Sequence, residues 1–455
     1  MSINVKEDLN SSVVNPQTIQ LPVGFRLNAE MQRCVDLVKD GRNVFITGNA
    51  GTGKSTLLTY LRQSVLPEDI AVVAPTGVGA INVGGITLHR LCSFNIDVTF
   101  EFIASDAYNP RTRDVLKALT VLVIDEVSMV RADMMDYVDQ ALRRYGKKKG
   151  KPFGGAQLIF IGDLAQLPPV VGKKVERDFI DSRYESEFFF DSAVMKEISY
   201  EMINLKTIYR QRDPELINAL NSIRDNSTQT EHFAFLKTLV NPNFQPDLGD
   251  FYITLATTNR KAEEINEEHL HALEGDLYRW KARITGSISQ SEKPNADTLY
   301  FKRHSQIMMI NNDPEQRWAN GTLGTITEIV LNDPAERSHV LIRILGADQD
   351  FKVYVNEWEV LRPGFSGGAL KYEVAGTFSQ FPFILAWAVT IHKSQGKTFD
   401  KVIIDLSRKA FSPGQLYVAL SRCTTADGIV LRQEVTADQV IVHDRVSRFM
   451  KESMD

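Results

Sequence analysis

The sequence predicts an α/β fold built on two parallel-sheet units, and three observations carry that prediction. Apolar strands ending in glycine or polar residues alternate with helix-patterned segments up to about residue 200. A looser copy of the alternation recurs in residues 251–273 and again from about 381. Between the copies, from about 290 to 380, short β-rich runs are separated by Asn, Gly, Asp and Pro, the pattern of a small all-β module inserted in the second unit. The 455 residues leave room for about three domains.

In chain order, residues 1–24 read as a loose arm without the basic flank and apolar stretch of a signal peptide. Residues 29–40, "AEMQRCVDLVKD", have helical spacing. "NVFITG" reads as a strand, "NAGTGK" as a tight loop, and "STLLTYLRQSVL" as a helix. "IAVVAPTG", "VLVIDE" (121–126) and "QLIFIGD" (157–163) are further short strands. Residues 93–114 interrupt the first unit and fit neither period, which favours a small protruding subdomain over a structureless loop. In the second unit "FYITLATTNRKAEEINEEHLHAL" reads strand, polar tip, helix. "FPFILAWAV" reads as one buried strand opening into "TIHKSQG" (390–396), "KVIIDLS" as a strand and "GQLYVALSRC" as a helix.

Hydrophobic content of 43% and charged content of 24% are those of a globular protein. The net charge is −5 and the pI about 6.0, so any nucleic-acid grip must come from a local basic groove. The basic runs at 147–151 and 173–174 read as solvated loops. Cys34, Cys92 and Cys423 have no metal or disulfide spacing, which predicts an intracellular, reducing compartment. No apolar run has the length of a membrane span.

"GNAGTGKS" (48–55) lies between a predicted strand and a predicted helix, the setting of a phosphate-binding loop. In Gly48, Asn49, Ala50, Gly51, Thr52 and Gly53 the glycines let backbone N–H groups converge on phosphate oxygens, and the helix N-terminus adds positive field. Lys54 is expected to reach the β- and γ-phosphates, and Ser55, followed by Thr56, to hold Mg²⁺. Asp125, ending "VLVID", is the matching Mg²⁺ acid, and Glu126 is placed to orient or deprotonate the attacking water. Gln166 in "GDLAQLPPV" is placed to sense the γ-phosphate or that water. Gln32 carries an amide able to read an adenine edge. Arg210 and Arg422 are candidate arginine fingers, with Gln415, Ala419 and Arg422 on one helix face. The chain has no guanine-reading N-K-x-D, so ATP is preferred to GTP.

The ordered set "LNAEMQ", "GNAGTGKST", "APTGVGAINVGGITLHRL", "VLVIDEVSMV", "GDLAQLPPV", "LKTIYRQ", "AWAVTIHKSQGKTFD" and "QLYVALSRC" resembles the superfamily-one B DNA helicases. It is most similar to the petite-integration-frequency helicases, with RecD-type and Dda-type motors as relatives. The resemblance spans residues from about 27 to 432. It implies two RecA-like domains with ATP and Mg²⁺ in the cleft between them, at 25–91 with 116–200 and at 201–289 with 381–445. It also implies a wedge subdomain at 92–115 and an SH3-like subdomain at 290–380, leaving 446–455 as a tail. By the same resemblance Gln32 reads adenine, Gln166 senses the γ-phosphate, and Arg210 and Arg422 are the two fingers. Gln395 and Gly396 face the nucleotide, while Thr390, His392 and Lys393 face DNA. Thr76, Gly77, His89 and Asn259 are further DNA contacts. The implied activity is ATP-dependent 5′–3′ translocation on single-stranded DNA with unwinding of tailed duplexes. The implied working state is a monomer that can oligomerise on DNA; G-quadruplexes and RNA–DNA hybrids are further candidate substrates. Two rival readings are a non-motor ATP switch bound to a partner protein and an RNA helicase, which a grip on phosphates does not separate from a DNA one.

Overall fold

The computed structural model describes residues 21–453, apart from 23, 68, 96–97, 173, 248, 333–337, 367–368 and 407–411. The expected arm, except for residues 21, 22 and 24, lies outside the described residues, as does Lys173.

The first unit runs through Ala29–Lys39 (α1), Val44–Gly48 (β1), Lys54–Ser64 (α2), Ile70–Ala74 (β2), Gly77–Asn82 (α3), Ile86–Thr87 (β3) and Leu88–Cys92 (α4). It continues with Phe100–Ala104 (α5), Arg113–Ala118 (α6), Val121–Ile124 (β4), Ala132–Tyr145 (α7), Gln157–Ile161 (β5), Lys174–Arg183 (α8) and Glu201–Leu205 (β6). The strands form one sheet in the order β3-β2-β4-β5-β1-β6, with every pair parallel. Side chains alternate across a strand. Phe45, Leu122, Ile124, Leu158 and Phe160 therefore face a core with α7, while Val44, Ile46, Val121, Val123, Ile159 and Ile161 face α1 and α2. Burial on both faces explains why these strands read as unbroken apolar runs.

Segment 93–114 is not a structureless loop. Its short helix α5 packs on α7. Phe94, Val98, Ile103 and Tyr108 join the first core, and the Tyr108 hydroxyl donates to Cys92 O at 2.7 Å.

The second unit begins with Pro214–Arg224 (α9), Thr230–Thr238 (α10), Ile253–Ala256 (β7) and Asn259–Ala272 (α11). A β-rich stretch follows: Tyr278–Lys281 (β8), Arg283–Gly286 (β9), Thr298–Phe301 (β10), Gln306–Met309 (β11), Leu323–Val330 (β12), His339–Ile344 (β13), Phe351–Tyr354 (β14), Asn356–Ser366 (β15), Ala369–Gln380 (β16) and Phe383–Leu385 (β17). The chain then returns through Ala388–Thr390 (β18), Val402–Asp405 (β19), Gln415–Leu420 (α12), Ile429–Leu431 (β20) and Asp444–Glu452 (α13). The parallel sheet of this unit is β18-β7-β19-β20. The β-rich stretch forms antiparallel sheets, β14-β13-β12-β11-β17, β15-β16-β9 and β10-β8. It starts at Tyr278 rather than near 290: β8 is only four residues long, with Tyr278 and Trp280 half-buried against the module core, and β9 is exposed throughout.

Two other expectations change. "FPFILAWAV" is not one strand: β17 belongs to the antiparallel sheet and β18 to the parallel one. The Gln306 side-chain amide donates to Tyr252 O at 2.8 Å and Ala386 O at 2.7 Å, pinning the joint. The described part of the tail, residues 446–453, is not loose: it lies in helix α13 and its C-cap, docked on the first unit, and residues 454–455 lie outside the described residues. Phe449 stacks on Phe190 at 4.0 Å, and Arg445 grips Asp191 at 2.7 Å.

Candidate active site

The phosphate loop joins β1 to α2 and is pressed against the chain that leaves β6. A Cβ at Gly51 (φ +81) would stand 2.4 Å from Arg210 Cβ. One at Gly414 (φ +76) would stand 2.3 Å from Gln166 O, where the two units touch. Both positions need glycine for space and for backbone conformation. Lys54 Nζ donates to Gly48 O at 2.8 Å and Asn49 O at 3.0 Å. Burial pulls the Lys54 ammonium below its ordinary range, while Asp163 and Glu126 pull it back. Ser55 is exposed and Thr56 half-buried at the start of α2.

Asp125 and Glu126 stand at the carboxyl end of β4. Burial, with Glu126 beside it, raises the Asp125 carboxyl to about 7. Burial also raises Glu126, against the charges of Lys54 and Arg422. Glu126 has φ +49, an unfavourable backbone for a side-chain-bearing residue, held where β4 turns into a short 3₁₀ helix.

The second unit closes over this surface. The Tyr417 hydroxyl accepts from Ala50 N at 2.9 Å and donates to Asp163 Oδ2 at 3.1 Å. Asp163 is fully buried and also takes Gln166 Nε2 at 3.3 Å and Arg224 at 3.5 Å. Asn49 donates to Asn221 at 2.6 Å. Arg210 donates to Ser421 O at 3.3 Å and lies near enough to Glu126 to feel its charge. Arg422 is 1% exposed and donates to Val418 O at 2.9 Å, and to Ser394 O and Lys397 O at 3.3 Å each. Burial, with Arg210 adjacent, lowers its guanidinium to about 9. Gln395 Nε2 donates to Gln166 Oε1 at 3.5 Å across the cleft.

Lys54, Asp125, Glu126, Gln166, Arg210, Arg422 and Gln395 are thus gathered in one cleft. Gln32 stands on the exposed face of α1 with its amide on Asp36 at 2.8 Å. Beside it, Met31 and Tyr209 flank Gly53, and Asn28 donates to the Tyr209 hydroxyl at 3.2 Å. Gly396 is exposed in a left-handed turn (φ +74).

The other candidates lie mostly at carboxyl ends of parallel strands, where α/β sheets bind ligands. Thr76 and Gly77 follow β2, and Thr76 caps α3 by accepting from Gly79 N at 3.0 Å. Asn259 opens α11 after β7; Thr390, paired with Ala256 of β7, ends β18. Thr390 is buried and accepts from Lys393 N at 3.3 Å, so its hydroxyl shapes the turn. His392 is half-buried, its pKa lowered by burial; Lys393 is exposed. His89 stands apart in α4, near Arg131 and Asp133, with burial lowering its pKa.

Sequence reading passed over Tyr417, Asp163, Arg224, Asn221 and Tyr209. Asp163, Tyr209 and Tyr417 lie inside the quoted motifs, but only the fold shows what they touch. Among the described residues no cluster of three or more His, Cys, Asp or Glu is arranged to hold a metal, and all three cysteines are buried and free. No described helix is long and apolar enough to cross a membrane.

The PIF1-like helicase family model matches residues 26–233. The ATP-dependent DNA helicase RRM3 of Saccharomyces cerevisiae is 32% identical, the match covering 97% of this chain and 69% of that protein. The ATP-dependent DNA helicase Pif1 of Bdellovibrio bacteriovorus is 30% identical, covering 92% and 91%. Among solved structures, Bacteroides sp Pif1 in complex with ADP-AlF4 superposes with a TM-score of 0.85 at 35% identity, covering 94% of this chain and 97% of that one. The same Bacteroides protein bound to ssDNA gives 0.69 at 35% identity, covering 94% and 97%. With curated relatives at 30% and 32% identity matched over more than nine-tenths of this chain, and a shared fold, this chain belongs to the PIF1-like helicase family.

Proposed function

We propose that the chain is an ATP-driven DNA helicase that moves 5′ to 3′ along single-stranded DNA and unwinds tailed duplexes. The observation that carries the reading is the loop after β18. Its backbone carbonyls at Ser394 and Lys397 hold Arg422, while the same loop exposes Lys393. One short rigid segment therefore joins a phosphate-stabilising cation to a group suited to a DNA backbone. The lower TM-score with the DNA-bound relative supports a change in unit arrangement on the nucleic acid. Polarity rests on the family resemblance alone.

In this reading Lys54 exchanges its loop carbonyls for phosphate oxygens. Glu126, with its proton affinity raised by burial, orients the attacking water and takes its proton. Arg210 and Arg422 stabilise charge on the transferred phosphoryl group, worth roughly 10³–10⁵ in rate, and Gln166 reports its presence to Gln395. Gln32 and Tyr209 flank the base. Ser55 and Asp125, a hydroxyl and a carboxylate, are hard oxygen donors of the kind Mg²⁺ uses beside phosphates, and so few protein ligands suit it. When bound, the ion neutralises phosphate charge.

Closing and opening of the units alternates the grips of Thr76, Gly77 and His89 on one side with Asn259, Thr390, His392 and Lys393 on the other, an inchworm cycle. Residues 25–91 and 116–200 act as one motor domain, and 201–277 and 386–445 as the other. Residues 92–115 are the wedge and the β-rich stretch 278–385 is the SH3-like subdomain, its bounds widened from 290–380 by the pairing of β8, β9 and β17. G-quadruplexes and RNA–DNA hybrids are further substrates of this reading. Strand separation on duplexes with a single 5′ or 3′ tail tests it: unwinding only from the 5′ tail is expected, and unwinding from neither would leave a nucleotide switch.

A further inference from the structure

Lys397 lies in the same loop; its backbone carbonyl helps to hold Arg422, but its side chain has no part in the proposed machinery. Its carbonyl accepts from Arg422 Nη1 at 3.3 Å. Two residues on, Phe399 N donates to Arg422 O at 2.9 Å, so residues 397–399 bracket the finger. The side chain points the other way. Its Nζ donates to Asn320 Oδ1 in the β-rich module, and Asn320 Nδ2 donates to Asn82 Oδ1 at 3.2 Å. Asn82 ends α3, the helix that Thr76 and Gly77 begin. The module's backbone also packs on Lys397: a Cβ at Gly321 would meet Lys397 Cβ at 3.7 Å.

No carboxylate pairs with this ammonium among the described residues. Burial lowers it to about 8, so a charge is held half-buried on one amide oxygen. That is a poor stability device, since an exposed lysine would avoid the desolvation. It suits a contact made and broken during a cycle.

We infer that Lys397 is a positioning residue that links three bodies, setting the carbonyl that anchors Arg422 according to how the β-rich module and α3 sit against one another. The inference rests on the motor reading above and adds a residue to it. When the module moves relative to the first unit, the Asn82–Asn320–Lys397 chain moves the 397–399 segment and with it the guanidinium of Arg422.

The test is a double-mutant cycle on steady-state ATP turnover with single-stranded DNA, using Lys397→Met, Asn320→Ala and both together. Methionine keeps the apolar stem and removes the donor. Each single variant is expected to lower the DNA-stimulated kcat about fivefold to tenfold, with the ATP KM within about twofold. The double variant is expected to be no worse than the weaker single, because both break one chain. Lys397→Arg, which keeps a donor, is expected to recover about half of the loss. Unchanged kcat in both singles, multiplicative losses in the double, or a KM rise that accounts for the whole effect would each overturn the inference. A wild-type chain whose turnover ignores DNA overturns the motor reading and the inference with it. Stimulated wild type with unaffected variants overturns the inference alone.

Discussion

Replacing Asp125 with asparagine should stabilise the nucleotide-free protein at neutral pH while abolishing turnover. Asp125 is 8% exposed, and burial together with Glu126 raises its carboxyl from 3.8 to about 7. The folded state therefore holds the proton more tightly than the unfolded chain. The resulting stabilisation is complete below about pH 4 and is lost as pH rises through about 7. Above that, wild type keeps a buried carboxylate next to a second acid. At 1.36 kcal/mol per pH unit the penalty is on the order of 2–4 kcal/mol, the lower figure allowing for coupling to Glu126. An amide of the same shape carries none of it. Thermal unfolding without nucleotide or Mg²⁺, from pH 4.5 to 8.5, reads this directly. At pH 8 Asp125→Asn should melt roughly 4–10 °C above wild type, and the two curves should converge toward pH 4.5. Equal melting at pH 8, or an offset that persists at acid pH, would show that the Asp125 carboxyl is not raised in the folded protein.

Arg422→Ala should cut ATP turnover by roughly 10³-fold or more while a fluorescent-nucleotide titration finds affinity within about threefold. Tyr417→Phe removes the hydroxyl that joins Ala50 N to Asp163 across the units, and should lower kcat about tenfold with an unchanged melting profile in the first unit. Phe449→Ala should cost about 3–4 kcal/mol in denaturant unfolding, because the ring is 7% exposed and stacked on Phe190; turnover at low temperature should be retained.

The motor's signature was readable wherever function sits in a contiguous stretch. Strand, glycine loop and helix around Lys54 announce themselves because each piece obeys a local rule. The β-rich runs at 306–309, 323–330 and 339–344 were visible through their apolar spacing. What stayed hidden depends on contacts between distant residues. Tyr417 and Asp163 look like an ordinary helix tyrosine and an ordinary strand-end acid until the units close. The strand β9 carries four exposed residues and takes its place from pairing with β16. The joint between β17 and β18 is invisible in an unbroken apolar run, because the two halves differ only in which sheet receives them. Helix α13 reads as a charged end, since only Val446 and Phe449 of its residues are buried.

If one loop couples ATP turnover to a strand of DNA, the steady-state ATP hydrolysis rate with and without single-stranded DNA reads that coupling, with Lys54→Ala as the blank. Turnover is expected to rise severalfold or more with DNA in wild type and to be absent in Lys54→Ala. Wild-type turnover that is the same with and without DNA would rule the coupling out.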